Sequence, residues 1–257
     1  MAMMNVVNQA SAVLLCGHGS KSPQAGIEFY ALMDKIQGKL CDQKLFGAFL
    51  DYDNPNIPEA MQQIYDQGYR DIIVQPAMLY NAGHTKNDIP GILSQFHKTH
   101  SDARLYYGGP LGVEALVVQA AADAVMAVLP PCDGEDVTLL VVGRGGRDRA
   151  VSDQTITLCR KLDAHLEVGD SRYCYFSDGA PSLPSALTQA AHSHYGHVVV
   201  LPFLLFPGRL LSHIYAEIDK VAAQYPAFAF HKAPAIGMQD VIVDALVQKI
   251  SEATLVI

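Results

Sequence analysis

The sequence predicts an α/β protein made of two duplicated domains, each a parallel sheet with helices on both faces. The segment 13–20, VLLCGHGS, recurs as segment 139–146, LLVVGRGG, at an offset of 126 residues, from position 18 to position 144. The same offset relates two further pairs of segments: PNIP at 55–58 with PSLP at 181–184, and IIVQP at 72–76 with VVVLP at 198–202. In both halves, short apolar runs alternate with helical patterns, as expected for parallel strands joined by crossover helices.

The first half contains four apolar runs typical of buried strands, each followed by an apolar spacing typical of a helix. Gly17 closes the first of these runs. Pro58 and Pro90 lie near the starts of two helices, where the missing N–H of proline is tolerated. We predict strands at 13–16, 46–50, 71–74 and 104–107, and helices at 26–40, 57–67, 89–97 and 113–128.

The second half repeats this order of elements. Its predicted strands are 138–142, 173–176, 197–201 and 228–231, and its predicted helices are 153–166, 183–194, 212–224 and 239–253. The segment 130–136, PPCDGED, is polar and rich in turn residues, which favours a boundary there. We therefore predict an N-terminal domain at 1–129 and a C-terminal domain at 136–257.

Size and composition restrict the possible functions. A chain of 257 residues fits two domains of about 130 residues each. The net charge of −8 argues against binding to nucleic acid or to an anionic membrane, which needs a basic face. No apolar run approaches the length of a membrane span, and no signal-peptide core is present. Five scattered cysteines without C-x-x-C spacing fit reduced thiols, so we expect a cytoplasmic protein.

Three possible metal ligands follow three successive strands of the first half. His18 follows the first predicted strand, Asp51 follows the second, and His84 lies in the loop after the third. In open parallel sheets, ligands bind beyond the carboxyl ends of the strands, so we expect these side chains at one edge. Imidazole and carboxylate groups bind first-row divalent metals. Asp51 lies in the acidic turn DYDNP, where Asp also caps turns routinely.

The second half lacks these ligands and carries arginines instead. The offset carries His18, Asp51 and His84 onto Arg144, Ser177 and Leu210. Arg144, Arg147, Arg149 and Arg209 are expected at the equivalent edge of the second sheet. The planar guanidinium binds carboxylates through two hydrogen bonds, although a solvated rim is the alternative interpretation. The pattern suggests that one half kept a metal site and the other took a different role.

Two further residues next to the histidines are candidates for binding a substrate. Ser20 closes the GHGS segment, which could also indicate a nucleophile or a phosphate loop. That segment lacks the G-x-S-x-G spacing of hydrolases and the lysine arrangement of a Walker motif. Lys86 could contact an anionic substrate, while Lys86, Asn87 and Asp88 together also fit a loop and helix cap.

Residues 13–21, 49–61 and 76–90 resemble the sirohydrochlorin chelatases, and the chain is most similar to their long, two-domain cobaltochelatase form. In the first half the likeness rests on GHGS at 17–20 and GHTKNDIP at 83–90. In the second half it rests on VGRG at 142–145 and LPFLLF at 201–206. The resemblance implies two flavodoxin-like domains facing across a cleft, with His18 and His84 as metal ligands. Asp51 occupies a position that is often Glu in this family.

The resemblance implies that the protein inserts a divalent metal into a sirohydrochlorin-type tetrapyrrole with eight carboxylates. Co²⁺ for cobalamin synthesis is the expected metal, with Fe²⁺ for sirohaem or Ni²⁺ as alternatives; the metal is a substrate, and no organic cofactor is expected. A non-catalytic carrier and a hydrolase using Ser20 are the competing functions, and we expect a monomer, with a dimer as the alternative. The implied roles are metal delivery and proton acceptance by His18 and His84, assistance by Asp51, and substrate binding by Ser20, Lys86, Arg144, Arg147 and Arg209.

Overall fold

The structure is a computed structural model that describes residues 11–129, 131 and 134–257. It confirms the predicted α/β fold, with two sheets of parallel strands that have helices packed on both faces. Residues 130, 132 and 133 of the predicted boundary segment, and the N-terminal residues 1–10, lie outside the described residues.

The first repeat begins with a buried strand and ends with a buried helix, as predicted. Its elements are β1 (Ser11–Gly17), α1 (Pro23–Gln37), β2 (Lys44–Phe49), α2 (Ile57–Asp66), β3 (Asp71–Pro76), a π-helical turn (His84–Asp88), α3 (Ile89–Thr99), β4 (Arg104–Tyr107) and α4 (Ala115–Met126).

The second repeat follows the same order after a short 3₁₀ turn. Its elements are β5 (Val137–Gly143), α5 (Arg149–Asp163), β6 (Asp170–Tyr175), α6 (Leu183–Ala190), β7 (His197–Pro202), α7 (Arg209–Gln224), β8 (Ala229–Lys232), α8 (Asp240–Ser251) and β9 (Thr254–Leu255). Helix α7 begins at Arg209, three residues before the predicted start, so Arg209 lies in its first turn.

Both sheets place the first strand of the repeat in the interior. The first sheet has the order β2-β1-β3-β4-β9, and the second has the order β6-β5-β7-β8. Strand β1 pairs in parallel with both neighbours, so that Leu14 lies opposite Phe46 and Val74. The two-residue strand β9 adds an antiparallel edge that the sequence pattern did not predict.

Alternate residues of each central strand face different helices. In the first sheet, Leu14 and Val74 pack with α2 and α3 around Met61, Ile64 and Leu93. The opposite face packs against α1. There Gly47 has no side chain, which leaves room for Met33 and Phe29. The second sheet has an equivalent core, in which Leu140 and Val200 pack with α6 and α7. Two-sided burial explains why these strands are nearly continuous apolar runs.

The two compact units do not coincide with the predicted domains at 1–129 and 136–257. One unit comprises the described residues up to Gly112 together with Asp240–Ile257, and the other comprises Val113–Gln239. The last helix of each repeat therefore belongs to the unit of the other repeat: α8 packs against α1 and β3, and α4 packs against α5 and β7. Because the repeats share one framework, either sheet offers an equivalent place for either helix, and the apolar pattern of a helix does not specify which.

Candidate metal centre

His18 follows β1 and is held where the loops after β1 and β2 meet. Its backbone carbonyl accepts a hydrogen bond of 2.9 Å from the N–H of Asp51. The next residue, Gly19, has a φ of +85°, and a Cβ there would collide with the carbonyl oxygen of Asp51. Glycine is therefore required for the two loops to approach so closely.

A side-chain bond joins the same two loops. The carboxylate of Asp53 accepts a 2.8 Å hydrogen bond from the backbone N–H of Ser20. The hydroxyl oxygen of Ser20 in turn accepts a 3.1 Å bond from the N–H of Ser22, just before α1. The hydroxyl therefore serves the local turn. Sequence reasoning did not single out Asp53, although its place in the acidic turn after β2 was a usable signal.

Buried polar contacts stabilise the turn that carries His84. The hydroxyl of Thr85, which is buried, accepts a 3.0 Å bond from the N–H of Ala82 and lies 3.1 Å from the carbonyl of Tyr80. From the end of β4, the hydroxyl of Tyr107 donates a 2.8 Å bond to the carbonyl of Thr85. Burial raises the pKa of Tyr107, so its hydroxyl keeps the proton that this bond needs. Single π-helical turns of this kind occur frequently at functional sites.

The structure brings His18 and His84 together. Their ring centroids are 5.0 Å apart and the rings are nearly perpendicular, at 83°. Nδ1 of His18 lies 3.2 Å from the carbonyl of Gly19, and Nδ1 of His84 lies 2.7 Å from a carboxylate oxygen of Asp88. Both oxygens accept, so Nδ1 of each ring is the donor, and in the tautomer that this favours Nε2 is the nitrogen that can bind a metal.

The loop-and-cap interpretation of residues 86–88 predicted that Asp88 caps helix α3. The structure shows no such cap. The side chain of Asp88 makes no capping hydrogen bond, because the π-helical turn continues directly into α3. The carboxylate binds His84 instead, one turn earlier on the same face. A carboxylate behind a histidine fixes the ring orientation and makes the imidazole a stronger metal ligand.

The backbone N–H of Asp51 is hydrogen-bonded to the carbonyl of His18, and the side chain of Asp51 is exposed. Within the part of the chain that the structure describes, no group of three or more His, Cys, Asp or Glu side chains is arranged to hold a metal ion. The structure thus brings two of the three predicted ligands together, and the role of Asp51 stays a prediction. Lys86 is exposed on the His84 turn, two residues from the imidazole.

Arg144 occupies the backbone position in the second repeat that His18 occupies in the first. The carbonyl of Arg144 accepts a 3.0 Å hydrogen bond from the N–H of Ser177, and Gly145 has a φ of +74°. Arg147 lies in the same loop, between β5 and α5, and Arg209 is the first residue of α7 after β7. All three arginine side chains are exposed. They lie beyond the carboxyl ends of β5 and β7, as the sequence predicted.

A family model named CbiX matches the chain twice, at residues 12–127 and again at residues 138–253. The chain belongs to the CbiX family. The two matches begin 126 residues apart, at 12 and 138, which confirms the duplication and the offset that relates His18 to Arg144.

The names of the curated relatives refer to two different metals, iron and cobalt. The chain is 27% identical over 222 residues to a sirohydrochlorin ferrochelatase of Priestia megaterium, which covers 86% of this chain and 83% of that protein. It is 25% identical over 249 residues to a sirohydrochlorin cobaltochelatase of the same organism, covering 94% and 79%. The solved structure of SirB from Bacillus subtilis with Fe3+ has a TM-score of 0.85 and 24% identity, and covers 94% of both chains. These likenesses support the two-repeat chelatase fold.

In the part of this CbiX-family chain that the structure describes, no helix is both long enough and apolar enough to cross a membrane. Of the five cysteines, Cys16, Cys41, Cys159 and Cys174 carry free thiols, and Cys132 lies outside the described residues. Burial raises the pKa of the Cys16 thiol, two residues before His18, above its usual value.

Proposed function

We propose that this protein is a sirohydrochlorin chelatase that inserts Co²⁺ into the tetrapyrrole. The observation that carries the proposal is the pair formed by His18 and His84, with rings 5.0 Å apart and both Nδ1 atoms engaged by oxygen acceptors. The pair offers two Nε2 lone pairs at the edge of the sheet where ligands of such folds bind. The choice of sirohydrochlorin as the substrate rests on the names of the relatives, which are sirohydrochlorin chelatases.

A site with two imidazole ligands suits a metal that must be released again. Neutral imidazole binds Co²⁺, Fe²⁺ and Ni²⁺, and two protein ligands leave most coordination positions to water or to the incoming pyrrole nitrogens. Insertion exchanges one divalent ion for two pyrrole protons. In the proposed step, Nε2 of His18 or His84 accepts one pyrrole proton as its bond to the metal breaks, and the other histidine or a water molecule accepts the second proton.

Asp88 supports both parts of this step. With the metal bound, the carboxylate holds the His84 ring in one tautomer. When Nε2 takes a proton, the ring becomes an imidazolium, and the carboxylate at 2.7 Å stabilises that charge. We propose Asp51 as an assisting group that orients the metal's remaining water ligands from the adjoining loop.

The arginines of the second repeat are the proposed binding groups for the substrate's carboxylates. Arg144, Arg147 and Arg209 are exposed at the sheet edge that corresponds to the metal edge of the first repeat. Guanidinium groups stay charged and can each bind a carboxylate through two hydrogen bonds. Lys86 and Ser20 belong to the same proposed set on the first repeat. A small group of cations at one edge is compatible with a net charge of −8 for the whole chain.

The choice of Co²⁺ is the finer part of the proposal, and Fe²⁺ for sirohaem is its alternative. The cobaltochelatase relative covers 94% of this chain, and the ferrochelatase relative covers 86% at slightly higher identity. Imidazole affinities for these ions overlap, and selectivity in cells follows geometry and metal availability. Measured rates must therefore rank the metals.

The test is an anaerobic absorbance assay with purified protein, sirohydrochlorin, and either Co²⁺, Fe²⁺ or Ni²⁺. We expect turnover above the enzyme-free rate with at least Co²⁺, and a loss of about 100-fold or more in His84→Ala, since the ligand and proton acceptor are removed together. His192→Ala, at an exposed histidine just after α6, is the matched control and should keep the wild-type rate.

The assay also separates an enzyme from a carrier. A carrier of metal or tetrapyrrole would bind its cargo in a fixed ratio and give no more product than there is protein. Near-normal turnover in His84→Ala would reject the assignment of the metal pair. Fastest turnover with Fe²⁺ would keep the chelatase and replace the cobalt assignment.

A further inference from the structure

Next to the metal pair, the first unit carries an exposed aromatic residue in an unusual backbone conformation. Tyr52 has a φ of +64° and is 64% exposed. It is the one non-glycine residue with positive φ in the part of the chain that the structure describes. Bulky residues rarely occupy this left-handed region, and such residues concentrate at functional sites where the surrounding structure holds them.

The loop around Tyr52 is held on both sides. Asp51 donates to the carbonyl of His18 at 2.9 Å, and the N–H of Asp53 donates to the carbonyl of Asp51 at 2.8 Å. The carboxylate of Asp53 binds the N–H of Ser20. These bonds fix the backbone before and after Tyr52, so the direction of its side chain is imposed by the metal-side loops.

The Tyr52 ring lies near both His18 and a lysine ammonium group. Its centroid is 6.3 Å from that of His18, with the rings nearly parallel at 21°. Nζ of Lys21 lies 5.3 Å from the centroid of Tyr52, within the range of a cation–π contact. Among the residues that the structure describes, no Asp or Glu oxygen lies within ion-pair distance of Lys21 Nζ. The nearby carboxylate of Asp53 is bound to the backbone.

We infer that Lys21 and Tyr52 form a carboxylate-binding subsite beside the metal pair, for a peripheral carboxylate of the tetrapyrrole. The contact with the ring restricts the flexible lysine to the neighbourhood of Tyr52, and the ammonium group, which lacks an acidic partner there, supplies the charge for the ligand. This inference rests on the proposed function for the identity of the ligand. It also gives the first repeat its own substrate contact, in addition to the arginines of the second.

The subsite predicts that Lys21 and Tyr52 act as one unit. Lys21→Gln removes the charge and should weaken binding of sirohydrochlorin about tenfold. Tyr52→Asn removes the ring and introduces a residue type that tolerates positive φ, so the backbone conformation of the loop is preserved. Its effect should be severalfold, and the double variant should be no weaker than Lys21→Gln alone, because the ring acts through the lysine. Tyr52→Phe keeps the ring face and should bind as the wild type does.

The experiment is an absorbance titration of metal-free sirohydrochlorin into the full-length protein and each variant, with Lys98→Gln on α3 as the matched lysine control. Titration of Co²⁺ alone checks that the metal pair is intact, and should give wild-type affinity in every variant. If the insertion assay shows no turnover although sirohydrochlorin binds, the proposed function is rejected. The dissociation constants of the variants then still decide whether Lys21 and Tyr52 bind the ligand. Unchanged affinity in Lys21→Gln, independent effects in the double variant, or no binding by the wild type would overturn the subsite.

Discussion

In the proposed metal pair, Nδ1 of each histidine lies close to an oxygen acceptor of the protein, and Nε2 is the nitrogen that we propose binds the ion. For His84 this depends on Asp88, and the sequence alone suggested a different role for that residue. An Asp immediately before Ile89 and Pro90 fits a helix cap. Residues 84–88 are already helical, however, so α3 has no separate N-terminus at Asp88, and the carboxylate is available to the imidazole. His18 and His84 were predictable because strand ends in a parallel sheet meet at one edge.

Replacing Asp88 with Asn tests this contact. Asn can still accept from Nδ1 but loses the negative charge, so we expect Co²⁺ affinity or turnover to fall about 10- to 100-fold. Isothermal titration with Co²⁺ and the insertion assay measure the two effects. Asp66→Asn is the matched control, because Asp66 also accepts an i,i+4 side-chain bond, from Gln62 on α2. An Asp88→Asn protein with wild-type affinity and rate would show that the carboxylate contributes nothing to the metal site.

Arg144 is the residue at which the two repeats differ most clearly in chemistry. The backbone position is shared with His18, so the side chain alone distinguishes the proposed metal ligand from the cation. In Arg144→Ala we expect KM for sirohydrochlorin to rise about tenfold, since a hydrogen bond to a charged group is lost, with kcat and Co²⁺ affinity retained. Steady-state kinetics with Arg160→Ala, an exposed arginine on α5, as the control measure this. A changed metal affinity with unchanged KM would contradict substrate binding by Arg144.

At the scale of elements, the sequence predicted the strands and helices and missed how two of them are distributed. Helix α4 has apolar residues around most of its surface, including Val117, Ala121 and Val125, and this pattern indicates burial. It does not indicate which sheet covers the helix, because duplicated sheets offer equivalent surfaces. The placement of α4 and α8 in the compact unit of the other repeat is therefore determined by tertiary packing and not by the apolar pattern of either helix. Strand β9 was missed because two residues are too few to show a period.

A hydroxyl group from β4 supports the π-helical turn that carries His84. Tyr107→Phe removes the bond to the carbonyl of Thr85 and leaves the ring in the core. We expect a loss of about 1 kcal/mol in the free energy of unfolding, together with a severalfold weaker Co²⁺ affinity because the turn is less constrained. Urea unfolding and metal titration on the same preparation measure the pair of effects.

Tyr215→Phe provides a close control for Tyr107→Phe. The hydroxyl of Tyr215 makes a bond of the same length, 2.8 Å, to the carbonyl of Ala233 in the other unit. We expect a similar loss of stability in this variant with no change in Co²⁺ affinity. Equal effects of the two substitutions on metal binding would mean that Tyr107 acts through general stability and does not position His84.

For the whole molecule, one pair of histidines far along the chain from the metal pair makes stability depend on pH. Nδ1 of His197 in β7 lies 3.1 Å from Nε2 of His231 in β8. Burial, and secondarily the neighbouring His197, lower the pKa of His231 below its usual value of about 6.5. Protonation of His231 is therefore less favourable in the folded state than in the unfolded chain.

The sign of the effect follows from the lowered pKa. As the pH falls through 6.5, the unfolded chain binds a proton at His231 before the folded chain does, so the free energy of unfolding decreases until the folded pKa is passed. The slope should stay well below the ~1.4 kcal/mol per pH unit of one fully coupled proton, because the pair is partly exposed to solvent. Urea unfolding between pH 8 and pH 5 should show a smaller loss in His231→Gln than in the wild type, and an unchanged loss in the exposed control His165→Gln. Parallel losses in the wild type and His231→Gln would assign the pH dependence to other groups and leave this histidine pair without effect on stability.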